Sequence, residues 1–179
     1  MLRFFARLLA ITAGALSSHS AQAYDPGDLS AHGTSEIRVH LIPDEWHLHH
    51  VGKLPDGRLI WIETQLSYDR TLRDTRDFLC IWIFSKEGVL TDQSKIIDLG
   101  WRSNPIGSRR LFIEQELEAL GGLTVTDIWV RPFSVEKYGL IFGLLIRDED
   151  DTDGDILIDA MPGMTLMFYP PWSEGGYDT

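Results

Sequence analysis

Two apolar, β-rich runs joined by an Asp-Gly turn constrain the fold more than any other stretch: "WHLHHVGKL", "PDG" and "RLIWIETQL", Trp46 to Leu66. Asp-Gly supplies the left-handed backbone that a tight hairpin turn needs, so the two runs are expected to pair as antiparallel strands. The theme repeats in "FLCIWIF", "SKEG" and "VLTDQSKIIDLG". In both units a Gly-x-Leu step follows the turn, Gly57-Arg58-Leu59 and Gly88-Val89-Leu90. Between them "LSYDRTLRDTRD" reads as a charged loop, and before them "EIRVHLI" reads as a strand stopped by Pro43.

One helix interrupts the β pattern. In "SNPIGSRRLFIEQELEALGG", Asn104 can cap, Pro105 suits the first turn, and Gly121-Gly122 supplies the stop, which predicts a helix over about 105–120. Ile106, Leu111, Ile113, Leu117 and Leu120 form its approximate apolar stripe. Strand-like runs then resume in "LTVTDIWVRPF", "YGLIFGLLIR", "DILIDA" and "MTLMFYP". Roughly eight strands and one helix argue an α+β domain, a mainly antiparallel sheet with the helix packed across one face. Long crossover helices are missing, which disfavours a doubly wound nucleotide-binding fold.

The N-terminus reads as an export signal. Arg3 and Arg7 precede a short apolar run, Leu8 to Leu16, and Ala21-Gln22-Ala23 has the small-x-small form of a cleavage site. Residues 1–23 are therefore expected to be removed, 24–35 to form a disordered polar leader, and 36–179 to form a single domain. The signal takes two of 16 basic residues and none of 27 acidic ones, so the mature chain carries 14 against 27, a net charge of −13. Such a surface repels nucleic acid and anionic membranes and suits a basic protein partner. A periplasmic or secreted destination follows. With one cysteine, Cys80, there is no internal disulfide, and its place inside "FLCIWIF" marks it as buried filler rather than a reactive thiol.

Few residues point to chemistry. The chain lacks a Gly-x-Ser-x-Gly elbow, a Walker loop and a His-Glu-x-x-His pair, so no residue is assigned a catalytic role. In "WHLHH" strand alternation would put His47 and His49 on one face, where two imidazoles could hold zinc if His40 or a carboxylate completed the set. Six carboxylates crowd the eight positions from Asp148 to Asp155: Asp148, Glu149, Asp150, Asp151, Asp153 and Asp155. With Gly154 at the sixth position of a calcium loop, Glu149, Asp151 and Asp153 fall at positions one, three and five. Position twelve is Ala160, however, and the flanks read as strands, so this is not an EF-hand. A looser calcium cage, a docking surface for a basic partner and a hydrated hairpin tip all remain open. Trp172 and Tyr177 sit in a tail that is usually polar, where they either fold back onto the domain or anchor an interface.

"RPFSVEKYGLIFGLL" (Arg131 to Leu145) and the closing "YPPWSEGGYDT" resemble the C-terminal part of a family of bacterial proteins, some labelled formate hydrogenlyase regulatory proteins. Its members carry a Phe-x-Val-x-x-x-Gly-x-x-Phe-Gly-Leu stretch and end in a tryptophan followed by Tyr-Asp-Thr. The resemblance implies a self-contained domain and no catalytic residues; a cytoplasmic regulatory role would clash with the export signal.

The expectation is an exported, non-enzymatic protein that binds another protein, with an immunity protein against a periplasm-delivered toxin as its particular form. The acidic stretch, Trp172 and Tyr177 are its candidate contacts. The alternative is a periplasmic metal-binding protein or cation-dependent enzyme. No resident cofactor is expected, with zinc at His47 and His49 and calcium at the acidic stretch left open.

Overall fold

The computed structural model describes residues 37–147 and 157–179. The signal and leader readings lie outside the described residues, as do Asp148, Glu149, Asp150, Asp151, Asp153 and Asp155. In chain order the elements are β1 (Val39–Leu41), β2 (His50–Lys53), β3 (Leu59–Asp69), β4 (Asp74–Phe84), β5 (Lys95–Trp101), β6 (Asn104–Pro105), α1 (Arg109–Ala119), β7 (Thr124–Val125), β8 (Ile128–Val130), β9 (Phe133–Lys137), β10 (Leu140–Arg147), β11 (Leu157–Met161), β12 (Met167–Phe168) and β13 (Tyr177–Asp178). They form a six-stranded sheet, β6-β5-β4-β3-β2-β7, a five-stranded sheet, β13-β12-β11-β10-β9, and the pair β1-β8. Every strand pairing is antiparallel. The protein is an α+β domain, mostly antiparallel sheet with a single helix among the described residues.

The six-stranded sheet is the middle of three layers. One of its faces packs on the five-stranded sheet: Leu59 and Trp61 of β3 and Phe78, Cys80, Trp82 and Phe84 of β4 meet Phe133, Phe142, Leu144, Ile158 and Phe168 in one buried cluster. The other face carries Ile60, Ile62, Leu79, Ile81 and Ile83, and α1 covers it through Phe112, Ile113, Leu117 and Leu120. Strand alternation sends neighbouring side chains to opposite faces. Coverage of both faces is why "FLCIWIF" is apolar throughout instead of alternating. Cys80 is buried there, and burial pushes its thiol up, with the nearby Glu63 charge adding to the shift.

The hairpin turns behave as their glycines require: Gly57 and Gly88 have φ of 87° and 79°. Gly88 is also held by space, since a Cβ there would lie 2.2 Å from the Trp129 carbonyl oxygen. Its own carbonyl accepts the Arg131 N–H at 2.9 Å, which docks this turn against β8.

Three local expectations are corrected. "LSYDRTLRDTRD" is not a loop: β3 and β4 stay paired from Leu59↔Phe84 to Asp69↔Asp74. Only Arg70–Arg73 turns, held by Asp69 Oδ1, which accepts the N–H groups of Thr71 and Leu72 at 2.7 and 2.9 Å. Charges along these strands find partners sideways, Arg76 with Asp98 and Arg102 with Asp77, so polar composition does not prevent pairing.

The helix starts at Arg109, not near 105. Asn104 and Pro105 pair with Trp101 and Gly100 as β6. The Ile106 N–H then bonds the Leu99 carbonyl at 2.7 Å, and Gly107 at φ 75° breaks the path, leaving Ser108 as the N-cap residue. Ile106 and Leu111 therefore fall outside the buried stripe and are exposed, while Phe112 joins it. Finally, β2 begins only at His50, so His47 and His49 do not share a strand face.

Candidate functional site

A cleft of about 660 Å³ opens where the helical layer fails to cover the middle sheet. Its walls come from α1, from β3 near Glu63 to Leu66, from the turn before β2, and from Thr165 and Leu166. The gap has a topological cause. The pairing of β2 with β3 ends at His50↔Ile62, whereas β3 runs on to Asp69, so no described strand flanks β3 on that side beyond Ile62.

The turn before β2 is built by Asp44. Its Oδ1 accepts the N–H groups of Trp46, His47 and Leu48 at 2.7, 2.8 and 3.0 Å. Its Oδ2 accepts the Tyr177 hydroxyl. Desolvation opposes ionisation of Asp44, but the bonds from Tyr177 and the three N–H groups together hold it down to about 2. The same contact acts in reverse on Tyr177, whose hydroxyl is pushed up to about 12 by burial, by its bond to Asp44 and by that charge. Leu48 points into the core at 0% exposure, and the opposite side of the turn presents Trp46 at 78%.

His47 and His49 both line the cleft but act separately. The His47 ring stands edge-on to Tyr177 at 6.1 Å, and His49 lies 6.3 Å from His50. Burial and the neighbouring His49 lower the His50 pKa and favour its neutral ring. His40, the possible third metal ligand, is committed elsewhere. Its Nε2 pairs with Asp127 at 2.7 Å, its Nδ1 meets the Ser173 carbonyl at 3.0 Å, and its ring stacks on Trp129 at 4.1 Å. Among the described residues no group of three or more His, Cys, Asp or Glu side chains converges as a metal site.

Trp172 and Tyr177 are half-buried and packed against the sandwich core. Trp172 lies in a 3-10 turn, Trp172–Glu174, while Tyr177 fixes Asp44 and so the turn carrying Trp46. The C-terminal aromatics are thus partly covered, whereas Trp46 is largely exposed.

Glu63 went unnoticed in the sequence, yet it is the most perturbed carboxylate described. It is 6% exposed; Trp82 Nε1 donates to its Oε1 at 2.7 Å and Gln65 Nε2 to its Oε2 at 2.8 Å. Desolvation outweighs both bonds and raises its pKa to about 7. Gln65 is fully buried and extends the network, donating to Thr165 Oγ1 at 2.8 Å and accepting the Gly163 N–H at 3.1 Å. This network ties the middle sheet to the 163–166 loop of the neighbouring layer. One signal was available: Glu63 and Gln65 occupy the same strand phase as Leu59 and Trp61, so the alternation of β3 places a polar pair on its buried face. Arg147 and Asp159 form a second such pair, 2.7 Å from Arg147 Nε to Asp159 Oδ2.

The cleft rim is cationic in an acidic chain. Arg102 is engaged by Asp77 at 3.1 Å, and Arg110 by Glu114 at 3.5 Å. Arg109 reaches back from the helix and donates from Nη1 to Thr64 Oγ1 at 3.3 Å. Besides these arginines the described lining holds two threonine hydroxyls, three histidine rings and apolar side chains.

Fold and site together define an α+β sandwich with a helix-lined cleft and a tryptophan at its lip. No protein-family model matches the chain, and neither a curated protein nor a solved structure matches it. The likeness of Arg131–Leu145 and the Tyr-Asp-Thr tail to the bacterial family named above rests on those motifs alone.

Proposed function

We propose that this chain is an exported protein-binding protein, in the particular form of an immunity protein that neutralises a toxin delivered to the periplasm. One observation carries the binding reading: Trp46 is 78% exposed on a turn whose backbone is fixed by Asp44. A large apolar side chain presented to water is costly for solubility, and tryptophan with nearby arginine is the composition that dominates interface energies. A pre-ordered turn also reduces the entropy lost on binding. The mature chain's 14 basic against 27 acidic residues, a net charge of −13, favour fast capture of a basic partner, and the acidic stretch from Asp148 to Asp155 contributes to that charge.

Affinity capture from periplasmic extract tests the reading with wild type, Trp46→Ala, and an Asp150→Asn, Asp151→Asn, Asp153→Asn variant. Wild type should retain a basic protein that Trp46→Ala loses at unchanged melting temperature, and that the triple variant captures more slowly. Equal capture by wild type and Trp46→Ala would remove the anchor. The immunity form has its own arm: the captured protein, exported into cells lacking this chain, should stop growth, and wild-type chain should restore it. Normal growth without the chain would sink that form and leave the binding reading standing.

A further inference from the structure

We infer that the cleft between α1 and β3 is a binding site for a small organic anion with an apolar body, a carboxylic acid whose charged end meets Arg109. Three observations converge. The volume, about 660 Å³, is in the range that encloses a small molecule rather than a water cluster. The floor is apolar, with Ile62, Leu66, Leu79, Ile113, Leu117 and Leu166 lining it.

The third observation is the charge balance of the rim. Arg102 and Arg110 each face a carboxylate of their own, Asp77 and Glu114. Arg109 has a neutral partner, the Thr64 hydroxyl, which takes one of its five N–H donors. The Glu63 carboxyl turns to the opposite, sandwich-side face of β3, where Trp82 and Gln65 occupy both its oxygens. No carboxylate of the described lining is therefore left to close on Arg109, although the chain carries an excess of them. A planar guanidinium over an apolar floor selects a planar anion joined directly to apolar carbon, because it can pair in bidentate fashion while the rest of the ligand leaves water. His47 and His49 stand at the mouth, and so does Trp46, so an occupied cleft changes the surface beside the proposed anchor. The assignment does not depend on what Trp46 binds.

Decanoate below its micellar concentration is a suitable probe, with decanol and inorganic phosphate as controls, followed by titration calorimetry and amide chemical-shift mapping. Decanoate should bind saturably and shift the amides of Thr64, Arg109 and Leu117. Arg109→Gln, which keeps a donor for Thr64, should weaken decanoate about tenfold or more while leaving the melting temperature unchanged. Decanol should bind wild type and Arg109→Gln equally and weakly, and phosphate should not compete. Decanol binding as tightly as decanoate would overturn the role of Arg109. Phosphate competing with decanoate would overturn the apolar half of the assignment. Shifts confined to another surface, or no saturable binding of decanoate, would overturn the site itself.

Discussion

The two faces of the six-stranded sheet are covered unequally, and the difference locates the cleft. On the sandwich side, Trp61, Phe78, Trp82 and Phe84 interlock with Phe133, Phe142 and Phe168 and are excluded from water. Their rings meet edge to face: Trp82 and Phe133 at 4.8 Å and 66°, Phe78 and Phe142 at 5.1 Å and 81°. On the helix side the sheet offers aliphatic residues, and α1 answers with side chains of which none is fully buried. The helix still buries Ile60, Leu79 and Ile81 at the middle of that face, and what it leaves open is the margin. Stability is expected to reside in the aromatic face and recognition at the margin of the aliphatic one.

The largest test of this contrast is Trp82→Ala. It removes a fully buried indole and strips Glu63 of a donor, so unfolding free energy should fall by about 3–5 kcal/mol in denaturant titrations. A loss no larger than that of a helix-side residue would break the comparison.

Next comes the pH dependence seated on Glu63. Its folded pKa of about 7 lies above its ordinary 4.5, so the folded state binds more protons between these values. Its contribution is intact below pH 4.5, declines as pH rises toward 7, and is level above, a span of about 3 kcal/mol. Glu63→Gln should be less stable at low pH, because its amide nitrogen would face a Trp82 or Gln65 donor, and it should lose that slope. Parallel pH profiles for wild type and variant would rule the assignment out.

Asp44→Ala should cost about 2 kcal/mol, since four hydrogen bonds go together. Because it frees the turn that presents Trp46, it should also weaken partner capture more than its stability loss explains, and Tyr177→Phe should show a smaller version of the same effect. Capture unaffected by either change would separate Trp46 from this turn. The smallest effect belongs to Leu117→Ala, about 1 kcal/mol, because a half-buried leucine in a one-sided contact leaves no closed cavity. A loss matching that of Trp82→Ala would mean that α1 is packed as firmly as the sandwich.

Much of this could be read along the chain. The Gly57 and Gly88 turns, the apolar runs of β3 and β4, and the α+β class follow from local chemistry, because turn type and alternation are set within a few residues. Boundaries were less legible. The charged continuation of β3 and β4 depends on Asp98 and Asp77 finding Arg76 and Arg102, and the late start of α1 depends on Ile106 bonding Leu99. Those partners lie on or beside another strand. The site was least legible of all: His47 and His49 do line it, but as members of a turn, and Glu63 was passed over within an apolar run.

By itself the sequence determined the turns, the two-faced apolar strands, the single helix and an acidic surface, since each depends on residue type and short-range period. Only the tertiary structure decided which face Glu63 occupies, that Tyr177 supports Asp44 and thereby Trp46, and that β3 outruns β2 to leave a cleft. The second of these joins residues more than a hundred positions apart, Asp44 and Tyr177. Their energies come from desolvation and from packing between layers, quantities that no local pattern contains.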